Sequence, residues 1–177
     1  LAKGKALDLF DAVSVSSGSK VRPDDIMGTD KLEDTAGSDI VVITAGITRQ
    51  PSMSRSDLLK INGQIIKDLA LKMNELSPEA ILLIVTNPVD IMTYIALKVT
   101  GFGEKKVLGL SGLLDSARLN ARLAKALDLP NSEIYTLIIG EHGDSMLALS
   151  GQMRASNRAI DKVLSKDETI KIINGTK

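Results

Sequence analysis

The residue with the clearest chemical potential is His142, the only histidine among the 177 residues of the chain. It lies in the segment Gly140-Glu141-His142-Gly143-Asp144-Ser145, directly after the apolar run of residues 134–139. Imidazole can accept and donate a proton near neutral pH because of its unperturbed pKa. The apolar run predicts a buried strand, and α/β proteins hold their chemistry at the carboxyl ends of strands. A lone histidine is more often a packed or surface residue, so its role depends on what other groups surround it.

Other polar residues suited to chemistry lie at predicted strand ends, on a loop and on a helix. They are Asn87 and the small pair Ala45-Gly46 at strand ends, Arg49 and Arg55 on a loop, and Asp115 with Arg118 on a helix. Each has an ordinary explanation when it is taken alone. Asparagine before proline is a common turn, an arginine on a loop is usually solvated, and an Asp-Arg pair three residues apart is usually a surface ion pair.

The elements that must position these residues alternate between strands and helices. Buried strands are predicted at 39–44, 80–86 and 134–139, and a short strand at 107–110. Helices are predicted at 1–10, 31–35, 55–76, 89–99 and 113–126. Ser54 with Asp57 predicts a capping box, Pro88 the first turn of a helix, and Gly101 a helix end. Such alternation favours a doubly wound parallel sheet.

The remaining segments receive less regular assignments. Residues 14–27 read as turns and short strands, 146–153 as the returning strand of a hairpin, and 156–177 as helical, with an N-cap at Ser165 and the chain stopping inside that helix. Near position 110 the regular alternation is lost, which predicts the beginning of a second layer.

Composition excludes several classes of protein. Lys plus Arg and Asp plus Glu each number 22, so no net charge favours nucleic acid or an anionic membrane. The absence of cysteine excludes a disulfide scaffold, and together with the single histidine it argues against a zinc site, so no metal is expected. No apolar run has transmembrane length and the first residues are no signal peptide, which predicts a cytoplasmic protein.

Three blocks of the chain resemble the signature blocks of the L-lactate/malate dehydrogenase family. They are Val85-Thr86-Asn87-Pro88-Val89-Asp90, Leu114-Asp115-Ser116-Ala117-Arg118 and Ile139-Gly140-Glu141-His142-Gly143-Asp144-Ser145. The resemblance is continuous from Leu1 to about Ser145 and weaker through Asp167. Residues 41–55 resemble the malate branch of the family, in which two arginines are six residues apart, as Arg49 and Arg55 are.

The chain departs from the family pattern at several places. The opening strand, its Gly-x-Gly-x-x-Gly turn and the acidic residue that follows are missing, and the family continues past Lys177. We therefore expect a central fragment that is inactive by itself. Leu147-Ala148-Leu149 occupies a segment where the family usually has a proline, and Ser52 replaces a usual glycine.

The resemblance implies a fold and an activity. Residues 1–110 would form a partial Rossmann-like doubly wound parallel sheet that binds NAD, and residues 111–177 part of an α+β catalytic domain. The reaction would be reversible oxidation of (S)-malate to oxaloacetate, with NADP left open because the ribose-binding residue is missing. One alternative is an L-lactate or other 2-hydroxyacid dehydrogenase. The other is a non-catalytic Rossmann-like binding protein, but such a protein would not need to retain His142, Asp115, Arg118 and Arg55 together.

The resemblance also implies a role for each candidate residue. His142 would be the proton acceptor and donor, and Asp115 would fix its tautomer and stabilise the imidazolium. Substrate would be bound by Arg49, Arg55, Asn87 and Arg118, and cofactor by Ala45, Gly46, Asn62, Val85, Thr86 and Asn87. The expected partner is a small-molecule substrate, with neither nucleic acid nor membrane, and the expected full-length form is a homodimer or homotetramer.

Overall fold

A three-stranded parallel sheet forms the first half of the chain. The computed structural model describes residues 1–15, 20–141 and 145–176. Strands β1 (Ile40–Ile43), β2 (Ile81–Ile84) and β3 (Val107–Gly109) lie in the order β1-β2-β3, with Ile40 opposite Ile81 and Leu82 opposite Val107. Valine, isoleucine and leucine dominate these strands, as expected for residues that favour an extended, buried backbone. The predicted parallel sheet is confirmed.

Three helices accompany this sheet: α1 (Ala2–Ser14), α2 (Arg55–Leu76) and α3 (Val89–Thr100). Helix α2 begins with the predicted capping box, in which the Ser54 hydroxyl accepts the Asp57 N–H and the Asp57 carboxylate accepts the Ser54 N–H, both at 3.1 Å. Helix α3 follows a cis Asn87–Pro88 peptide bond, with Pro88 at its N-cap. It ends at Gly101, whose φ of 66° suits glycine.

The core of this half lies between one face of the sheet and helices α2 and α3. It is formed by Ile43, Leu82, Ile84 and Val107 from the strands and by Ile66, Ala70, Met73, Met92 and Ala96 from the helices. The other face is open, since Ile40 is 61%, Val42 54% and Leu108 45% exposed. The prediction that residues 39–44 form a fully buried strand is therefore wrong, because the described helices of the core cover a single face.

The second half of the chain packs short antiparallel strands against helix α4 (Gly112–Leu127). The strands are β4 (Ile134–Tyr135), β5 (Ile138–Ile139), β6 (Leu147–Ala148), β7 (Arg154–Ala155) and β8 (Arg158–Ala159). They form two sheets, β4-β7-β8 and β5-β6, and helix α5 (Lys166–Asn174) follows. A second core joins Leu119 and Leu123 of α4 to Ile134, Ile138 and Met153.

The single buried strand predicted at 134–139 is wrong, because Thr136 divides it. The Thr136 hydroxyl donates to the Asn120 side-chain oxygen at 2.7 Å, which holds this segment against α4. Residues before Thr136 pair with β7 and those after it pair with β6. The hairpin predicted around 146–153 is confirmed by the β5-β6 pair.

The continuous helix predicted from position 156 is also wrong. Ser156 and Asn157 have φ values of 47° and 61° and form the turn between β7 and β8, a conformation that hairpin turns require. The helix starts at Lys166, after the predicted Ser165–Glu168 capping box, and ends at Asn174. Residues 20–27 contain a 3₁₀ turn at Pro23–Asp25 and no strand, in contrast to the short strands predicted there. Within the described residues, no helix is long and apolar enough to cross a membrane.

Candidate active site

The carboxyl ends of β1 and β2 meet at one edge of the parallel sheet. Ala45 and Gly46 follow β1 and are exposed, and Asn87 follows β2 and is exposed. Thr86 is 6% exposed, and its hydroxyl donates to the Ala45 carbonyl at 2.7 Å, which ties the two strand ends together. Ligands of open α/β sheets bind outside this edge, so the structure places these four residues where the sequence predicts them.

The side chain of Asn62 lies beneath this edge and is 1% exposed. Its amide nitrogen donates to the Asn87 carbonyl at 2.8 Å and to the Ile47 carbonyl at 3.2 Å. Its amide oxygen accepts the Ile47 N–H at 2.8 Å. The polar groups of Asn62 are thus engaged with the backbone of two different segments, a feature that sequence reasoning missed.

Gly46 packs directly on its neighbours in the site. A Cβ atom at this position would lie 2.6 Å from the Thr86 methyl carbon and 3.1 Å from the Asn62 amide oxygen. The sequence predicts that this glycine lets a ligand approach the backbone closely. The structure adds an internal reason, since the side chains of Thr86 and Asn62 leave no room for a methyl group.

The two arginines of the predicted substrate loop lie at different points of one exposed segment. Arg49 lies in the middle of the loop, where its Nε donates to the Met53 carbonyl at 3.2 Å. The Met53 N–H donates to the Gln50 carbonyl at 3.0 Å, so the loop has internal structure. Arg55 is the first residue of α2 and is exposed.

Asp57 stabilises the end of this loop through its carboxylate. Hydrogen bonds from the Ser54 hydroxyl, and then from the Ser54 backbone N–H, hold the pKa of Asp57 below its ordinary value. The negative charge therefore persists at the N-terminus of α2, where it also interacts favourably with the helix dipole. Arg55 lies between Ser54 and Asp57, so the capping box that these two residues form fixes the backbone position of Arg55.

Asp115 and Arg118 lie on the first turns of α4, as the i, i+3 spacing predicts. Asp115 is 2% exposed, and an Arg118 Nη1–Asp115 Oδ1 distance of 3.1 Å shows that the two side chains form an ion pair. The Arg118 side chain remains 51% exposed. A guanidinium with this exposure retains donors for a second carboxylate, because its fork carries five N–H groups.

Helix α4 is held against the strand that leads towards His142. The Ser116 hydroxyl accepts the Ile138 N–H at 2.9 Å, and a Cβ atom on Gly112 would lie 2.3 Å from the Ile138 carbonyl oxygen. These contacts bring the turn of α4 that carries Asp115 beside β5. His142 lies outside the described residues, so its contact with Asp115 remains a prediction.

Sequence comparison assigns the chain to a family. Residues 1–109 match the lactate/malate dehydrogenase NAD binding domain. Because that match covers more than half of the chain, the chain belongs to the lactate/malate dehydrogenase family, a class of Rossmann-fold oxidoreductases.

Curated relatives at 36–45% identity are named malate dehydrogenases. The chain is 45% identical to a malate dehydrogenase of Synechocystis, over 100% of the chain and 53% of the relative. It is 41% identical to that of Symbiobacterium thermophilum, over 99% of the chain and 55% of the relative. The chain therefore spans about half the length of the curated relatives it matches.

Solved structures show the same similarity. The malate dehydrogenase of Picrophilus torridus in its apo form is 35% identical and superposes with a TM-score of 0.88, over 99% of this chain and 55% of that one. A lactate dehydrogenase of Cryptosporidium parvum, complexed with lactic acid and nicotinamide adenine dinucleotide, is 30% identical with a TM-score of 0.84, over 99% and 56%.

Proposed function

We propose that this chain is part of an NAD-dependent malate dehydrogenase that interconverts (S)-malate and oxaloacetate. The observation that carries the proposal is the pair of exposed arginines after β1, Arg49 on the loop and Arg55 at the start of α2. A dicarboxylate substrate needs a cation at each end, and Arg118 can serve the other end. The names of the 36–45% identical relatives support the same assignment.

The strand-end edge suits an extended nicotinamide cofactor. Ala45, Gly46 and Asn87 are exposed there, whereas Asn62 and Thr86 are covered by neighbouring backbone. Ala45, Gly46 and Asn87 would therefore contact NAD, and Asn62 and Thr86 would support that surface. The half-buried Val85 would contact NAD as well, as the family resemblance implies. When it is bound, the nicotinamide supplies the hydride acceptor and donor. NADP is left open as an alternative cofactor.

The remaining residues would bind the substrate and move the proton. Arg118 would bind the C1 carboxylate with its fork, and Asn87 would hydrogen-bond the substrate oxygen. Arg55 would stabilise the charge that develops on the carbonyl oxygen. His142 would take the hydroxyl proton during oxidation, with Asp115 holding the other ring nitrogen. The buried position of Asp115 suits this role, because a buried carboxylate stabilises a nearby cation more strongly than a solvated one.

We further propose a division of the chain near position 110, with the cofactor-binding part before it and the catalytic part after it. The two separate cores, one around Leu82 and Met92 and the other around Leu119 and Met153, support this division. The full-length protein would be a cytoplasmic homodimer or homotetramer that serves the tricarboxylic acid cycle.

The proposal is tested by the steady-state kinetics of the full-length protein. Rates of oxaloacetate and pyruvate reduction are measured with NADH and with NADPH, and the expected result is a strong preference for oxaloacetate. A preference for pyruvate would favour a lactate dehydrogenase, for which the 30% identical Cryptosporidium structure is the supporting observation. Binding of NADH without turnover of either substrate would identify a non-catalytic binding protein.

A further inference from the structure

Asn62 connects two segments, at Ile47 and at Asn87, whose relative position matters for the proposed reaction. It lies seven residues after Arg55 on α2, hence on the same face of the helix. Its amide pairs with both the N–H and the carbonyl of Ile47, and its second amide hydrogen reaches the Asn87 carbonyl. One side chain thus fixes the start of the Arg49 loop relative to the strand end at Asn87.

The far end of the same loop has an anchor of its own. Ser54 and Asp57 exchange hydrogen bonds through the capping box at the start of α2. Residues 48–53 therefore lie between two anchored points, and the Arg49–Met53 hydrogen bond lies inside that segment. Movement of the loop would be confined to these residues, because Ile47 and Ser54 are each tied to α2.

We propose that Asn62 is a positioning residue, which acts by anchoring Ile47 to Asn87. Its part in catalysis rests on the function proposed above, whereas the anchor itself does not. Without the amide, the hinge of the loop would move back from Ile47 towards β1, and Arg49 would sample many more positions. A misplacement of about 1 Å can cost roughly a hundredfold in rate, so such an anchor matters for turnover.

The hydrogen bonds of Asn62 distinguish this role from direct contact with a cofactor. Both amide hydrogens already point to carbonyl oxygens, and the amide oxygen already accepts an N–H. A ligand that accepted either amide hydrogen would have to displace the carbonyl oxygen of Ile47 or Asn87. With the side chain 1% exposed, the groups are also covered from the solvent side.

The anchor can be tested without any substrate, in the full-length protein, by limited digestion with trypsin. The Asn62→Asp variant keeps the shape of the side chain but removes both amide donors and places a carboxylate against two carbonyls. The control, Gln64→Glu, makes the same chemical change on the exposed side of α2. Mass spectrometry measures cleavage after Arg49, in the loop, and after Lys125, in the last turn of α4.

Loss of the anchor should raise cleavage after Arg49 relative to Lys125 by about tenfold, because local opening requires less free energy than global unfolding. Gln64→Glu should leave this ratio unchanged. A ratio that stays at the wild-type value in Asn62→Asp, whether both rates rise or neither does, would overturn the proposal. Asn62→Gln, which keeps the amide but shifts it by one carbon, should give an intermediate ratio.

Kinetics then separate positioning from cofactor binding. In Asn62→Asp, kcat for oxaloacetate should fall by about tenfold or more while the Kd for NADH stays within a few-fold of wild type. A weakened Kd for NADH with unchanged kcat at saturating NADH would mean that Asn62 is a cofactor contact, and the positioning role would be overturned. If the wild-type protein does not reduce oxaloacetate, the proposed function fails, and the trypsin ratio still decides whether the anchor exists.

Discussion

Replacement of Arg49 by glutamine tests what selects the substrate. In the structure Arg49 is exposed on its loop, and its Nε donates to the Met53 carbonyl. The two terminal amino groups of the guanidinium form the fork that binds a carboxylate. Oxaloacetate would offer a second carboxylate to this fork when the loop closes, whereas pyruvate offers a methyl group.

The size of the effect follows from what loop closure would bury. With pyruvate, closing residues 48–53 would take an unpaired guanidinium out of water, at a cost of roughly 2–5 kcal/mol. This corresponds to roughly thirtyfold to several thousandfold in the ratio of kcat/KM values. Because Arg49 is exposed in the present conformation, its guanidinium would lose water only when the loop closes, and the cost would arise in that step. Selectivity would thus include repulsion of the wrong substrate.

The measurement is kcat/KM of the full-length protein for oxaloacetate and for pyruvate. Arg49→Gln should lower the value for oxaloacetate sharply and raise the value for pyruvate. Lys60→Gln, which removes one positive charge from an exposed position of α2, is the matched control and should leave the ratio as it is. A ratio for Arg49→Gln within a few-fold of wild type would show that Arg49 does not select the substrate, and the malate assignment would lose its main support.

Three further substitutions test the base, the packing of the site and the loop anchor. His142→Asn should abolish turnover and leave NADH binding intact, and a variant that keeps substantial turnover would contradict the assignment of the base. Gly46→Ala should destabilise the fold by about 1–3 kcal/mol in urea unfolding, because its Cβ would lie 2.6 Å from the Thr86 methyl carbon. Gly103→Ala should change little, because apart from the adjacent residues no described atom lies within 4 Å of the added methyl group. Asp57→Asn should destabilise the protein at neutral pH and progressively less in acid, because hydrogen bonds from Ser54 lower the pKa of Asp57. The contribution of the Asp57 carboxylate to stability is present above its ordinary pKa and disappears as pH falls through the lowered pKa. An equal effect of Asp57→Asn at pH 7 and pH 3 would contradict this reasoning.

The elements that were predictable from the sequence are those determined by neighbouring residues. Short apolar runs between turn residues located β1, β2 and β3, and the capping boxes at Ser54 and Ser165 located the starts of α2 and α5. The division of residues 134–139 depends instead on Thr136 meeting Asn120, which lies sixteen residues earlier on another element. Burial of a strand face also depends on which helices cover it, so local apolarity predicted the strands but not the open face at Val42.

In the site, too, the sequence predicted what local spacing determines, but not the contacts between distant segments. The i, i+3 spacing of Asp115 and Arg118 was sufficient to place both residues on one face of a helix, where the structure shows them as an ion pair. The sequence indicated Asn62 only as a candidate cofactor residue. Its actual contacts are with Ile47 and Asn87, fifteen and twenty-five residues away, and they depend on how α2 packs against the sheet.

Three charged residues of the candidate site lie close in sequence to a residue held by hydrogen bonds. Arg49 follows the anchored Ile47 by two positions, Arg55 follows Ser54 directly, and Asp115 precedes Ser116, whose hydroxyl accepts the Ile138 N–H. The uncharged side chains of Asn62 and Ser116 can serve as anchors inside the protein because ordinary hydrogen bonds compensate their burial, whereas an unpaired charge there is expensive. Arg49 and Arg55 can therefore stay exposed, with donors available for a substrate, while residues beside them determine where those donors can reach.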